Sequence, residues 1–209
     1  MRKADFTSWK RVEIALLLAL AICLLSGGLS LKQQERLAGQ VVRLHVLANS
    51  DSAEDQALKL QVRDAVLRET EGLLADIDSQ SAAEEVLRDH LPQLQQAAHQ
   101  TVEEAGVAYN VEAQLAVTDF PTKEYEGFAL PAGEYLALRI LIGEAAGQNW
   151  WCVAFPPLCT AAASDVAVTA LAAGMEAEEV RLMVEEDGYV LKFKCVELWQ
   201  ELRRRLETT

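Results

Sequence analysis

Basic residues are scarce in this chain of 209 residues, which has 19 lysines and arginines against 32 aspartates and glutamates. The formal charge of −13 makes the average surface repel phosphate and anionic lipid headgroups, so we expect no nucleic-acid partner. Disorder is not expected either, because 51% of the residues are hydrophobic and can bury a core. The length leaves room for one domain with an appendage, but not for two full domains.

Histidine is rarer still, with three residues at positions 45, 90 and 99, and no CxxC pair accompanies them. This spacing excludes the usual zinc sites, and we expect no metal and no cofactor. The sequence also lacks the motifs that accompany a catalytic serine, because no GxSxG elbow encloses Ser50 and no second motif supplies a triad partner. We therefore expect no catalytic residues and do not interpret the chain as an enzyme.

Only one long apolar run interrupts the polar background, and it spans residues 14–25 (IALLLALAICLL). Four basic residues precede it and Ser26-Gly27-Gly28 follow it, which is the layout of a secretory signal. Twelve helical residues span only about 18 Å, less than the ~30 Å of a bilayer core. The sequence therefore predicts a signal peptide over 1–28, a linker over 29–39 and one domain over 40–209. A retained N-terminal anchor over 12–31 is the alternative.

Export bears on the cysteines, because a disulfide persists outside the cytoplasm. Cys23 lies in the apolar run, so the exported body keeps Cys152, Cys159 and Cys195. Cys152 and Cys159 enclose VAFPPL and form a candidate disulfide, which would contribute about 2–3 kcal/mol in the chain-entropy model. The alternative is two free thiols packed beside the neighbouring tryptophans. Cys195 is most simply a small buried hydrophobe.

The first strand is predicted over residues 41–47 (VVRLHVL), where Arg43 and His45 project together from the face opposite Val42, Leu44 and Val46. A loop of turn-forming residues follows, and Ser52 with Asp55 three residues later resembles a capping box that opens a helix.

Helical periodicity predicts two long helices over 53–76 and 81–105, the second kinked at Pro92. Alternating segments predict strands over 107–118, 134–142 and 149–155, the last two joined as a hairpin through GEAAGQ. Two further strands are predicted over 180–185 and 189–194, on either side of an Asp187-Gly188 turn, and 196–206 is a last amphipathic helix. We predict an α+β single domain in which a mixed or antiparallel sheet packs against two long helices, preceded by an N-terminal apolar export helix.

Candidate recognition residues cluster where aromatic side chains lie beside prolines. Trp150 and Trp151 are adjacent, so in a strand they point to opposite faces and only one fills the core from its own side. Exposed aromatic residues beside a rigid turn are typical anchors of protein interfaces. The alternative is that residues 160–209 cover the outer tryptophan. The candidate contact residues are Trp150, Trp151, Pro156 and Pro157, the similar turn of Phe120 and Tyr125, and the strand-end patch of Arg43, His45, Asn49 and Asp51.

Two long stretches of the sequence resemble a known family. RLHVLANSDSAEDQALKLQVRDAVL at 43–67 and FPTKEYEGFALPAGEYLALRILIGEAAGQNWWCVAFPPLC at 120–159 closely resemble the stage II sporulation protein R family of endospore-forming bacteria. The resemblance covers most of 40–159, and that family also has an N-terminal export segment. The C-terminal KFKCVELWQEL resembles the family's ending more loosely.

The resemblance implies an intercellular signal. In that family the protein is made in the forespore and exported across its membrane into the intermembrane space. There it activates a membrane-bound aspartic protease of the mother cell, which removes the pro-sequence of sigma-E. Membrane contact of this chain would come through its N-terminal segment only. The alternatives are a secreted envelope protease inhibitor or other non-catalytic binding module, and a purely structural envelope protein.

Overall fold

The computed structural model describes residues 13–18, 32, 34–159 and 165–184. Residues 13–18 are helical and their leucines are exposed, while the rest of the predicted export segment lies outside the described residues. In the ranges that are described, no helix has both the length and the apolar character needed to cross a bilayer.

The strands are β1 (Val42–Leu47), β2 (Val111–Phe120), β3 (Lys123–Tyr125), β4 (Phe128–Leu130), β5 (Gly133–Ile142) and β6 (Asn149–Phe155). Four of them form one sheet in the order β2-β5-β1-β6, and β3 pairs with β4 in a separate small hairpin. β1 runs parallel to β5 and antiparallel to β6, and β2 is antiparallel to β5. The α+β class with a mixed sheet is therefore confirmed.

The helices are α1 (Ala53–Leu74), α2 (Gln80–Asp89), α3 (Leu91–Glu104), α4 (Val166–Ala172) and α5 (Ala177–Val184). The Ser52 side chain accepts a hydrogen bond from the Asp55 amide, so the predicted N-cap of α1 is confirmed. The long helix predicted over 81–105 is two helices that meet at His90. Pro92 would clash with the carbonyl four residues before it in a continuous helix, but fits the first turn of a new one.

The predicted hairpin of the strands at 134–142 and 149–155 is wrong, because β1 lies between β5 and β6. β1 is buried on both faces, which suits a central strand with a partner on each side. The connection over 143–148 therefore crosses the end of β1 and spans about 10 Å, twice the spacing of neighbouring strands.

The strand predicted over 180–185 is also wrong where it is described, because α5 occupies residues up to Val184. The buried residues Glu179, Val180 and Met183 recur at helical spacing, and packing on that face outweighs the strand preference of the valines. The strand predicted over 189–194 and the helix over 196–206 lie outside the described residues.

Each face of the sheet has its own hydrophobic cluster. α1, α2 and α3 cover the first face, where Val42, Leu44 and Val46 of β1 are buried. The second cluster contains Val41, residues from the ends of β2 and β5, and residues from α4 and α5. Leu37, in a helical stretch at 34–38, is 2% exposed and belongs to this second cluster.

Candidate functional site

The loop after β1 and the loop between β5 and β6 bind each other, and we call residues 48–52 and 143–148 the loop clasp. The Gly147 amide donates to the Ala48 carbonyl at 3.0 Å, and the Ala146 amide donates to the Asn49 carbonyl at 3.2 Å. Side chains add to these bonds. Asn49 Oδ1 accepts from the Glu144 amide at 3.0 Å. The clasp thus joins the two halves of the motif that carries the family resemblance.

Two glycines let these loops approach closely. Gly143 has a φ of +57°, which an L side chain rarely adopts, and a Cβ there would collide with the Asn49 side chain. A Cβ at Gly147 would collide with the backbone oxygen of Ser50. Asp51, which is exposed, accepts a hydrogen bond from the Gln148 amide at 2.7 Å through Oδ1. Asn49 and Asp51 are therefore tied into the fold, although both were predicted as contact residues.

Asp55 is a buried carboxylate that organises the start of α1. It accepts hydrogen bonds from the Ser50 hydroxyl at 2.5 Å and from Asn49 Nδ2 at 2.8 Å. These bonds lower the pKa of Asp55, with the Ser50 bond as the largest cause. His45 is engaged elsewhere, because its Nε2 lies 2.7 Å from Asn149 Oδ1. Ser50 is therefore a structural donor to a carboxylate, without a histidine base.

Arg43 was predicted to contact a partner, but its side chain is wholly buried at 0% exposure. Its guanidinium carbon lies 4.2 Å from the ring centroid of Phe120 and 5.0 Å from that of Tyr135. Nη2 donates to the Tyr125 hydroxyl at 2.7 Å and Nε donates to the Cys152 carbonyl at 3.3 Å. Burial lowers the pKa of Arg43 and raises the pKa of Tyr125. Within the described ranges no carboxylate forms an ion pair with Arg43.

The rings of Phe120, Tyr125 and Tyr135 form an aromatic cage around Arg43, and this cage attaches the β3-β4 hairpin to the sheet. Tyr125 stacks on Phe128 with centroids 4.6 Å apart, and its hydroxyl donates to the Trp151 carbonyl at 3.2 Å. Phe120, at the end of β2, lies edge-on to Tyr135. Arg43, Phe120 and Tyr135 are therefore buried beneath the surface. Tyr125 is partly exposed, so it connects this buried group with the surface.

Trp150 and Trp151 point to opposite faces of the sheet, as predicted, and both are partly exposed. Trp150 packs against the first cluster beneath the Arg63 guanidinium, which lies 4.5 Å from the ring centroid. Trp151 packs against the second cluster, with Lys123 Nζ 4.5 Å from its ring centroid. Each ring therefore has a cation over an apolar body, and tryptophan and arginine, unlike lysine, are enriched at protein interfaces.

Cys152 and Cys159 are joined by a disulfide, with Cα atoms 6.0 Å apart. The bridge folds residues 156–159 back beside β6, and the Val153 amide donates to Cys159 Sγ at 2.9 Å. The turn begins with a cis peptide bond between Phe155 and Pro156. Pro156 is buried and Pro157 is partly exposed, so the predicted proline surface is smaller than expected.

The structure also identifies polar residues that the sequence analysis missed. Arg139 is the one charged residue inside the apolar stretch LALRILI, and that isolation is the signal that could have singled it out. Lys59 has no comparable signal. It is 4% exposed and donates to the Gln148 carbonyl at 2.9 Å, and burial lowers its pKa.

The described residues contain no group of three or more histidines, cysteines, aspartates or glutamates that could hold a metal ion. The surface features that remain are the partly exposed tryptophans, Lys123 and Tyr125 on the hairpin, and the face of the sheet around Arg139. Tryptophan, tyrosine and arginine are the residue types enriched among the energetically important contacts of protein interfaces.

Comparison with known proteins gives a consistent result. The sequence profile described as Stage II sporulation protein R matches residues 38–165. The chain is 45% identical over 120 residues to Stage II sporulation protein R of Bacillus subtilis (strain 168), which covers 57% of this chain and 54% of that protein. The match therefore spans about half the length of this relative. No solved structure matches the chain.

Proposed function

The chain belongs to the stage II sporulation protein R family, and from this we propose that it is an exported signal that activates a membrane-bound aspartic protease of the mother cell. Activation leads to removal of the pro-sequence of sigma-E. In this proposal the chain leaves the forespore through the segment at 1–28 and acts in the intermembrane space. The protease supplies the catalysis and the chain supplies the contact that switches it on.

The observation that carries this proposal is the match over residues 38–165, which includes the loop clasp and the cage of Arg43. The structure supports a non-catalytic role, since Ser50 bonds to Asp55 and His45 bonds to Asn149. A disulfide between Cys152 and Cys159 suits a protein that works outside the cytoplasm. A ligand shifts a receptor toward its active state only by binding that state more tightly, so the chain must present a surface specific to that state.

The test is co-expression in a non-sporulating bacterium of the full chain, the cognate membrane protease and the sigma-E precursor. Precursor size is followed by immunoblot. We expect cleavage only when both the chain and the protease are present, and a loss of cleavage when residues 1–28 are deleted. A protease variant lacking its catalytic aspartate is the control and should leave the precursor intact.

Three outcomes would contradict the proposal. Cleavage without the protease would mean that the chain is itself an enzyme. A lower protease activity in the presence of the chain would favour the inhibitor. An intact precursor despite secreted, folded chain and active protease would favour a binding module or a structural envelope protein.

A further inference from the structure

The second face of the sheet carries a transverse row of four side chains. Register aligns Gln114 of β2 with Arg139 of β5, Arg139 with His45 of β1, and His45 with Trp151 of β6. Neighbouring residues in register project from the same face, so these four lie side by side across the whole sheet. We call them the cross-sheet row.

Apolar side chains continue this face beyond the cross-sheet row. Leu47 of β1 and Leu141 of β5 are paired in register, one step beyond His45 and Arg139 on the same face. Both leucines are partly exposed, and neither belongs to one of the two hydrophobic clusters. Glu112 of β2 is in register with Leu141 on the same face and accepts a hydrogen bond from Gln114 Nε2 at 2.6 Å. The sheet therefore presents a polar row beside two leucines, with one carboxylate at the edge next to Gln114.

The cross-sheet row forms no ion pair among the described residues, although Glu112 lies on the same face. Arg139 Nη1 donates weakly to Gln114 Oε1 at 3.4 Å, and Arg139 Nε is buried without a hydrogen-bond partner. His45 is 7% exposed, and its Nδ1 is likewise buried and unpartnered. The ion pairs among described residues lie elsewhere, on α1, α2 and α3.

Arg139 and the buried Arg43 lie on this face against the single carboxylate of Glu112, so the face is locally positive although the whole chain has a formal charge of −13. A guanidinium recognises a carboxylate through two parallel hydrogen bonds, and because Nε is buried a partner would reach Arg139 through its terminal nitrogens. The leucines offer apolar contact along the strands from Arg139, and Trp151 offers it across the sheet. An anionic lipid surface is a poor fit, because the rest of this acidic protein would repel it.

We propose that the cross-sheet row, with Leu47 and Leu141, is the docking surface for a protein segment that carries an aspartate or glutamate between apolar side chains. The carboxylate pairs with Arg139, and the apolar neighbours pack on the two leucines and Trp151. This inference rests on the proposed function, since the segment belongs to the extracytoplasmic part of the activated protease.

The test compares charge reversal at two arginines in the full chain. Arg139→Glu should weaken binding to the detergent-solubilised protease at least tenfold and abolish precursor cleavage in the co-expression assay. Arg68→Glu, at an exposed position on α1, is the matched control and should change binding less than twofold. Arg139→Met, which keeps the length of the side chain without its charge, should also weaken binding by several fold if Arg139→Glu fails to fold.

The outcomes separate this inference from the proposed function. If the wild-type chain triggers cleavage and Arg139→Glu and Arg139→Met do so equally well, the docking surface is refuted while the function stands. If the wild-type chain neither binds nor activates the protease, both fail. If the Arg139 variants change only self-association in analytical ultracentrifugation, the occupant is a second copy of this chain and the inference is overturned.

Discussion

Arg43 shows how a buried charge is accommodated by aromatic rings. Removing a guanidinium from water costs several kcal/mol, and a carboxylate partner usually offsets that cost. Here the rings of Phe120 and Tyr135 face the cation, and the Tyr125 hydroxyl accepts a hydrogen bond from it. Cation–π contacts in desolvated surroundings contribute about 2 kcal/mol each. Because the guanidinium is planar, it can stack on aromatic rings and donate hydrogen bonds from its edge at the same time.

Substitutions of Arg43 should therefore separate the contribution of its planar shape to stability from the contribution of its charge. Arg43→Lys keeps a buried charge but loses the planar fork, and we expect it to lower the free energy of unfolding by about 2–4 kcal/mol. Arg43→Met removes the charge and its desolvation cost, so its loss should be less than half as large. Urea unfolding followed by tryptophan fluorescence measures both values. A methionine variant no more stable than the lysine variant would contradict this account.

His45 should make stability depend on pH. Burial lowers its pKa below the ordinary value, the charges of Arg139 and Arg43 lower it further, and the bond to Asn149 opposes them. The unfolded chain thus takes up a proton at a higher pH than the folded chain does. The free energy of unfolding should fall as pH drops from 7 to 5, and this slope should be shallower in His45→Gln.

The measurement is urea unfolding at each pH between 7 and 5 for the wild type and for His45→Gln. Equal slopes for His45→Gln and the wild type would show that His45 is not the responsible group.

At the scale of elements, the loop clasp explains why two distant stretches of sequence belong to one motif. The residues after β1 and those between β5 and β6 are almost a hundred positions apart, yet four backbone and side-chain bonds join them. The N-cap at Ser52 was readable from sequence because it is local. The clasp was not, because it exists only when β1 is inserted between β5 and β6.

Glycine substitutions test the clasp. Gly147→Ala places a methyl group against the backbone oxygen of Ser50, and we expect a loss of about 1–3 kcal/mol in the free energy of unfolding. Gly72→Ala, within α1, meets open space and should raise stability by about 0.5–1 kcal/mol. Urea unfolding of the two purified variants and the wild type measures both changes in stability. If Gly147→Ala matches the wild type, the loops do not approach as described.

At the scale of the whole molecule, residues ahead of β1 contribute to the core. The sequence analysis placed 29–39 in a linker, and the family match begins at residue 38. Leu37 is nevertheless 2% exposed and packs with residues of α4 and α5. Part of the second face of the sheet is thus covered by segments that precede β1 and follow β6.

Leu37→Ala should therefore destabilise the protein by about 2–4 kcal/mol through the cavity it leaves. Leu60→Ala, at a position on α1 that is 37% exposed, is the matched truncation and should cost less than about 1 kcal/mol. Thermal and urea unfolding of both variants measure the difference. Equal losses would mean that the stretch at 34–38 does not belong to the stable body.

The sequence by itself determined the features that depend on neighbours along the chain. These are the alternation of β1, the cap of α1, the opposite directions of Trp150 and Trp151, and the motifs that carry the family resemblance. Tertiary structure alone decided which strands pair, and hence that Arg43 and His45 are buried rather than exposed. It also decided that Arg139 lies beside His45 in the cross-sheet row. Strand order is set by which pairing buries both faces of β1, and that choice involves residues far apart in sequence, whose approach no local pattern encodes.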